Sequence, residues 1–176
     1  GPIVNGVLKA EEIKLRGGDV KIAAYVSAVS TDSFTVSPGD GLSSIKISLG
    51  TETELKNEIT GDESLNVVFN AGDFVEIEGF ETGTDSMFAA QVKITPPDDV
   101  ILKGIIDLSD DVGQTITIFG VQFSTIGTSF IDSDGSTAFT DQTDFNGNID
   151  LGTTWVKVTD NLTANGIADE VEIETP

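Results

Sequence analysis

The sequence predicts an all-β protein that consists of two tandem small β-barrel units and one extra N-terminal strand. The first observation is a stretch that occurs three times, with its anchor residues Ile13, Val92 and Val171 separated by 79 residues in both intervals. A constant period of this length indicates tandem copies of one small domain. The second observation is that short runs of alternating apolar and polar residues are bounded by turn residues, as in strands. The third is that no run has the apolar spacing of a helix of ordinary length.

Five or six short strands per unit, each with one apolar face, favour a small closed or nearly closed barrel, because closure leaves no unpaired edge. The repeat divides the 176 residues into three parts. Residues 20–97 are predicted to form the first barrel unit, and residues 98–176 the second. Residues 1–19 are predicted to hold the last strand of a preceding repeat, after Gly1-Pro2, a dipeptide typical of a cleaved expression tag.

The N-terminal part begins with a hairpin signal, because Asn5-Gly6 lies between Val4 and Val7. The following residues alternate as a strand up to Leu15, and in the two later copies this element closes a unit. Here it precedes the first complete unit and therefore lacks a barrel of its own. An unpaired strand tends to add to an exposed sheet edge. We expect it to pair with the first unit or with a neighbouring molecule.

In the first unit, alternating apolar residues predict strands at residues 24–29, 34–36, 45–49, 74–79 and 85–94. Within the fourth of these strands, Val75 and Ile77 are predicted to face the core. The intervening Glu76 and Glu78 are predicted to face the solvent. Residues 95–99 form the linker between the units, since two prolines cannot continue a ladder.

The second unit repeats this plan, with matching elements at residues 104–106, 115–118, 127–130, 151–158 and 165–173. The 127–130 element matches residues 50–55, and Phe119-Gly120-Val121 stands in place of the longer turn at residues 38–41 of the first unit. We therefore predict a tighter hairpin at Phe119-Gly120.

The composition restricts the chemistry of the chain. Its net charge of −21, from 30 acidic and 9 basic residues, argues against binding nucleic acid or anionic lipid, since both require Lys and Arg. No apolar run approaches the length of a membrane helix, so direct membrane insertion is not expected. The absence of His and Cys removes the usual general base near neutral pH and any thiolate nucleophile. Catalysis would have to use carboxylates, hydroxyls, lysine or a hard metal ion.

Each unit follows a recurring pattern of turn and core residues. The pattern is a G-x-V-x-x-V opening, a G-T-x-T element, an L-x-x-G-D-x-V-x-V-x-G block and an NG-x-h-x-A-x-x-V-x-I close, where h is hydrophobic. Its matching residues are Val26, Val29, 72–79 and 90–94 in the first unit, and Gly104, Gly152, 155–158 and 165–173 in the second. This pattern resembles the bacterial family known as domain of unknown function 5666. Two positions depart from it: Ala24 stands where the opening Gly is expected, and Thr153-Thr154 replaces the Gly-Asp dipeptide.

The resemblance implies a tandem module of an exported bacterial protein or lipoprotein, with a fold similar to an oligonucleotide/oligosaccharide-binding (OB) barrel. It implies an extracytoplasmic location, whether periplasmic, outer-surface or secreted, as part of a longer chain. The function of the family is not established, and its motif residues shape turns and core. The resemblance therefore implies a fold and a location but no activity.

The best candidate for a chemical site is a set of acidic and amide residues in the second unit. The set comprises Asp132, Asp134, Asp144, Asn146, Asn148 and Asp150. Calcium loops place such residues at alternate positions, because Ca²⁺ takes about six to eight hard oxygen ligands. The match is partial, since Gly147 precedes Asn148 and Trp155 stands where such a loop ends in Glu. The alternative is an acidic turn, because Asp, Asn and Gly dominate turns for backbone reasons.

Two other patterns have a functional and a structural interpretation. Glu76 and Glu78 resemble the paired carboxylates of a glycosidase, but carboxylates two residues apart on a strand ordinarily form its solvated side. Trp155 and Tyr25 offer rings on which a sugar can stack. The strand position of Trp155 favours a role in the core instead.

These observations predict a non-catalytic structural or interaction module with no resident cofactor. It would display a rigid acidic surface, with strand addition between repeats or molecules. The alternative is a ligand-binding module for calcium or a glycan, and a carboxylate-only enzyme is the third hypothesis. The expected partner is a protein or a surface polymer, and strand-mediated self-association is a further expectation.

Overall fold

The computed structural model of the chain describes residues 3–4, 7–8, 19–62, 67–136, 138–161 and 164–175. Strands make up 52% of the structure and helix 3%, which confirms the predicted all-β class. The described residues form fourteen strands and one short helix. In chain order these are β1 (Ile3–Val4), β2 (Val7–Leu8), β3 (Val20–Val29), β4 (Ser33–Ser37), β5 (Ile45–Ser48), β6 (Glu54–Asn57), β7 (Phe74–Gly83), β8 (Ser86–Ile94), β9 (Val100–Asp110), β10 (Thr115–Ile118), β11 (Val121–Ser124), β12 (Ser129–Ile131), α1 (Gln142–Asn146), β13 (Trp155–Asp160) and β14 (Glu170–Glu174).

A closed five-stranded barrel lies in the first half of the chain. β3 pairs with β4, β4 with β5, β5 with β8, β8 with β7, and β7 pairs again with β3. Only the β5–β8 pair of this ring is parallel. The ring closes because β3 is long enough to pair with β7 along its first half and with β4 along its second. β6 lies outside the ring and runs parallel to β8.

The strands of the second half follow the same ladder. β9 pairs with β10 and β13, β10 with β11, β13 with β14, and β12 lies parallel to β14. A single parallel bridge, from Ser124 to Ile167, connects β11 to the segment that leads into β14. Two backbone hydrogen bonds of 2.9 Å support it: the Ser124 N–H donates to the Gly166 carbonyl, and the Ala168 N–H donates to the Ser124 carbonyl.

Residues of the two halves hold matching register positions. In the first half, one row across neighbouring strands comprises Leu55, Val92, Ile77 and Ile22. In the second half, the corresponding row comprises Phe130, Val171, Val158 and Leu102. Val92 and Val171 are also anchors of the sequence repeat, so the register follows the sequence period.

The two rows meet at a seam between β3 and β9, which pair antiparallel. Lys21 lies opposite Lys103, and Ile22 lies opposite Leu102. Because Ile22 and Leu102 hold the same position in their halves, the seam has local two-fold symmetry. One sheet therefore continues from β6 through β8, β7, β3, β9, β13 and β14 to β12.

Loops of the two halves also touch each other. A methyl group added to Gly120, in the β10–β11 turn, would lie 3.4 Å from the carbonyl oxygen of Thr84 in the β7–β8 turn. A methyl group added to Gly39 would lie only 2.5 Å from the carbonyl oxygen of Ala164. The close approach at Gly39 requires a residue without a side chain.

The core follows the predicted alternation. Val75 and Ile77 are fully buried, while Glu76 and Glu78 on the same strand are half-buried. Burial of the apolar side chains removes their surface from water, which is the main favourable contribution to folding.

At the N-terminus, β1 and β2 form a separate two-stranded sheet in which Val4 lies opposite Val7. This pairing agrees with the predicted tight hairpin. Residues 5–6 and 9–18 lie outside the described residues, and so does most of the strand predicted to reach Leu15, whose pairing with the first unit or a neighbouring molecule stays a prediction.

Candidate functional site

The only helix among the described residues, α1, covers one end of the second half. Asp141 precedes it in extended conformation, and its carboxylate accepts a hydrogen bond from the Asp144 N–H, as in a helix N-cap. Phe145 is fully buried and lies with its ring centre 5.0 Å from that of Phe130. Gly147 ends the helix. A single buried ring therefore anchors five helical residues that would not be stable alone.

Gln142 joins α1 to three other parts of the second half. Its side chain is 8% exposed, and its amide nitrogen donates to the Ser109 hydroxyl and to the Thr115 carbonyl, both at 2.9 Å. Its amide oxygen accepts a hydrogen bond of 2.6 Å from the Thr125 hydroxyl. A buried amide with all these bonds made fixes the position of the helix, because moving it would leave polar groups unpaired.

A polar cleft of about 330 Å³ opens beside this network. Its lining consists of Asp111, Gln114, Thr125, Gly127, Thr128, Phe130, Thr140, Asp141, Gln142 and Thr143. One oxygen of Asp111 accepts a hydrogen bond of 2.9 Å from the Thr143 hydroxyl. One oxygen of Asp141 accepts the capping bond from Asp144, also of 2.9 Å. Each carboxylate is thus restrained by a hydrogen bond within the protein.

A second cleft, of about 430 Å³, lies at the matching place in the first half. Its lining consists of Thr31, Asp32, Leu49, Gly50 and Thr51. Both clefts lie between the turn that follows the first strand of the half and the segment that follows the third strand. Gly50-Thr51 lines the first cleft, whereas the second is lined by Thr128, whose counterpart is Thr53, because the Thr53 and Thr128 hydroxyls donate to the matching carbonyls of Ala89 and Ala168. The two clefts thus lie at similar places but are lined by different positions.

Five of the six predicted calcium ligands have side chains in hydrogen bonds within the described part of the protein. Asp132 and Asp134 lie in the turn after β12, where they accept backbone hydrogen bonds from Ser133 and Ser136. The Asp144 carboxylate accepts a hydrogen bond from the Thr140 N–H, and the Asn146 amide oxygen accepts one from the Ser109 hydroxyl. The Asn148 amide donates to the Asp144 carbonyl. Asp150 lies in the turn before β13.

One hydrogen bond joins two of these six residues, from the side-chain amide of Asn148 to the backbone carbonyl of Asp144. Within residues 19–62, 67–136, 138–161 and 164–175, no three acidic side chains are grouped so as to hold a metal ion. Calcium binding stays a prediction.

Three other side chains for which the sequence suggested a function, those of Glu76, Trp155 and Tyr25, make contacts within the protein. Glu76 forms an ion pair of 3.5 Å with Lys21. Trp155 is half-buried and packs against the core. Tyr25 meets the ring of Phe74 edge-on at 5.0 Å between centres. These contacts agree with the structural interpretations of the glutamates and the aromatic residues.

Lysines are gathered on the outer face of the continuous sheet. Of the six lysines in the described part of the chain, five lie on this face, namely Lys21, Lys56, Lys93, Lys103 and Lys157. Lys21, Lys103 and Lys157 stand side by side on three adjacent strands and form what we call the lysine row. Lys103 pairs with Glu174 at 2.8 Å, and Lys157 forms an ion pair with Glu172.

The glutamates around Lys157 change the pKa of its ammonium group. Partial burial alone would lower the pKa of Lys157, but the hydrogen bond to Glu172 and the charges of Glu172, Glu174 and Glu170 outweigh burial and raise it. The ammonium form of Lys157 is therefore favoured.

Asp160 is a buried carboxylate at the end of β13. Its oxygens accept hydrogen bonds from the backbone N–H groups of Gly166, at 2.8 Å, and Asn165, at 3.4 Å. Burial raises its pKa above the ordinary 3.8, the two backbone bonds oppose this, and the carboxylates of Asp169 and Asp99 raise it further. The Asn165–Gly166 turn, next to the loop contact at Ala164, is therefore held by a carboxylate whose charged form is disfavoured.

Sequence reasoning missed the helix and the Gln142 network. The sequence does contain a signal for the helix: Asp141 is a capping residue, and Asp144 is an acidic residue in the first turn. No pattern marks Gln142 as buried, because its three partners come from distant parts of the chain.

Comparisons with known protein families, with curated proteins and with solved structures found no match to this chain. The family resemblance carried by the repeat pattern accordingly stays a prediction. Among the described residues, no helix is long and apolar enough to cross a membrane.

Proposed function

We propose that this chain is a non-catalytic structural or interaction module that acts as one stiff acidic body. In this proposal the body is built from two copies of an OB-like barrel. The observation that carries the proposal is the seam, where equivalent strands β3 and β9 pair in register and one sheet continues across both halves. Backbone pairing across a boundary resists hinge motion more than a flexible linker does.

The strand order supports the OB-like assignment. In the first half the ring contains its strands in the order first, second, third, fifth and fourth, and the third and fifth strands are parallel. This is the arrangement of a five-stranded OB barrel. The matching rows through Val92 and Val171 support a second copy in residues 98–176.

Ion pairs of the lysine row support stable pairing of β3 with β9 at the seam. Two like charges directly opposite each other on adjacent strands are destabilising alone, yet Lys21 and Lys103 stand opposite at the seam. The glutamates beside them, Glu76 and Glu174, offset this repulsion with one ion pair from each half. Elsewhere the surface is acidic, which favours solubility and repels other anionic chains.

Calorimetry tests the proposal. If the halves form one body, the chain unfolds in one cooperative transition, and the calorimetric enthalpy equals the van't Hoff enthalpy, a ratio of about 1. Independent halves of similar stability would give a ratio of about 2, and that result would contradict the proposal. Scans at two protein concentrations serve as the control, since self-association would make the midpoint depend on concentration.

The second candidate function is ligand binding, and the observation that favours it is the pair of clefts at matching places. For calcium, melting the EDTA-treated protein with CaCl₂ and with MgCl₂ separates specific binding from charge screening. A rise selective for calcium, lost on Asp144→Ala with Asp150→Ala, would favour a metal site. Equal small rises with both ions would argue against it.

We further propose an extracytoplasmic location within a longer bacterial chain, on the basis of the family resemblance alone. The partner would be a protein or a surface polymer. Fractionation of cells that make the protein, followed by detection of this segment, tests the location. Recovery in the cytoplasm would contradict it.

A further inference from the structure

We propose that the cleft beside α1 binds a neutral, hydroxyl-rich glycan, with Asp111, Gln114 and Asp141 as its recognition residues. This inference rests on the second candidate function, ligand binding, and assigns the ligand class and the residues. It does not depend on whether the two halves act as one body.

The lining of the cleft selects against anions and favours hydroxyl groups. Among the described residues that line it, none is basic, and eight of the ten are neutral. The volume of about 330 Å³ is near the lower end of the range for ligand sites, enough for about one or two sugar rings. The four threonine hydroxyls of the lining donate within the protein, and their oxygens can still accept a hydrogen bond from a sugar hydroxyl.

Three side chains have hydrogen-bonding capacity that the described part of the protein does not use. Asp111 and Asp141 each use one oxygen within the protein, towards Thr143 and Asp144 respectively, and each has a second oxygen available. The side-chain amide of Gln114 makes no hydrogen bond to any described residue. Two exposed carboxylates and an exposed amide thus line the cleft, where sugar hydroxyls can donate to the carboxylates.

The wall of the cleft is rigid, which lowers the entropic cost of binding. Thr125 and Phe130 are 4% exposed, and Gln142 makes all the bonds described above. Gln114 itself has a φ of 49°, a left-handed conformation that is unfavourable for a residue with a side chain. A glycine at this position would relieve the strain, so the glutamine lowers the stability of the native chain here.

The cleft in the first half lies at a similar place in its ladder but is lined differently. Asp32 corresponds to Gln114, because each residue immediately precedes the second strand of its half and its carbonyl accepts a hydrogen bond from the segment after the third strand. The cleft of the first half thus has a carboxylate where the second has an amide. It lacks an amide and a second carboxylate among its lining residues. We therefore assign the principal site to the second half.

Titration calorimetry tests the inference on the full chain. The probes are neutral hexasaccharides of glucose, xylose, mannose and N-acetylglucosamine, with a galacturonic acid hexasaccharide as the anionic probe and pentalysine as the basic probe. We expect at least one neutral hexasaccharide to bind, and the anionic one not to bind. Asp111→Asn and Gln114→Gly should each weaken that binding by about tenfold or more.

Two controls separate binding from folding. Gln114→Gly relieves backbone strain, so its thermal midpoint should not fall while its affinity does. Asp40→Asn, an exposed change of the same kind outside the cleft, should leave the affinity unchanged. If a hexasaccharide binds but neither cleft variant weakens it, the assignment of the site is wrong.

The remaining outcomes distinguish the glycan from ligand binding in general. If only pentalysine binds, and Asp111→Asn weakens it, then the cleft is a ligand site but the glycan class is wrong. If none of the probes binds, the inference is overturned together with the second candidate function.

Discussion

Gly104 and Ala24 hold the same place in the two halves, but only the second half requires glycine there. A methyl group on Gly104 would lie 2.6 Å and 2.9 Å from the Cζ and Cε2 atoms of Phe119. Phe119 and Gly120 form a two-residue hairpin with φ angles of 52° and 66°, which directs the buried ring over Gly104. In the first half β4 and β5 are joined by a longer loop, and Ala24 is fully buried in the core.

We predict that Gly104→Ala lowers the free energy of unfolding by about 1–3 kcal/mol, since the ring must move to admit the methyl group. The cost should fall clearly when the same change is made in a Phe119→Ala background. Denaturant unfolding of the four proteins of this double-mutant cycle measures the coupling. An equal cost in both backgrounds would show that the ring is not the cause.

A second residue-scale prediction concerns Asp160. Because its pKa is raised on folding, its contribution to stability is complete below its unfolded pKa of about 4 and is lost as the pH rises through the folded value. Asparagine cannot ionise, and its amide oxygen can keep the bond to Gly166. The stability of Asp160→Asn relative to the native protein should therefore increase from pH 4 to pH 7.

Urea unfolding of both proteins across this pH range measures the effect. Asp98→Asn is the control, since Asp98 is exposed and lies outside the buried turn. A difference between Asp160→Asn and the native protein that stays constant with pH would contradict the prediction.

At the scale of elements, the strands could be predicted and the helix could not. The alternation in β7 shows its inward and outward residues directly, since successive side chains of a strand face opposite sides. α1 has one fully buried aromatic residue, Phe145, in five residues, too few to show a helical period. The register at the seam could not be predicted either, because pairing of Ile22 with Leu102 joins residues far apart in the chain.

The same contrast applies to the candidate site. Among the predicted calcium residues, Asp132 and Asp134 lie in a turn, where their carboxylates accept backbone hydrogen bonds. The cleft contains residues from several loops, among them Gln114 and Thr125. Its polar character follows from folding and not from any local motif.

Phe145 provides the prediction for the α1 element. Phe145→Ala should lower the free energy of unfolding by about 3–5 kcal/mol, because it removes a fully buried ring in contact with Phe130 and Phe139. Phe80→Ala is the matched control, since Phe80 is 43% exposed and should cost much less. Chemical denaturation gives both values. Similar costs for the two variants would show that α1 is not anchored by its aromatic ring.

At the scale of the whole molecule, the charge distribution and the sheet act together. The net charge of −21 disfavours a compact state through self-repulsion. The lysines on the continuous sheet counter this repulsion where the two halves meet, and the remaining surface keeps its acidic character. The proposed stiffness therefore depends on the pairing of β3 with β9 at the seam.

The most direct measurement of that stiffness is the distance distribution between two spin labels, one in each half. The chain has no cysteine, so Ile59→Cys and Val112→Cys, both at exposed positions, would carry the only labels. Ile59→Cys with Phe80→Cys, both in the first half, gives the width expected within one rigid unit. We predict an inter-half distribution with a single peak of about that same width. A broad or two-peaked inter-half distribution, beside a narrow control, would contradict the claim that the two halves form one body.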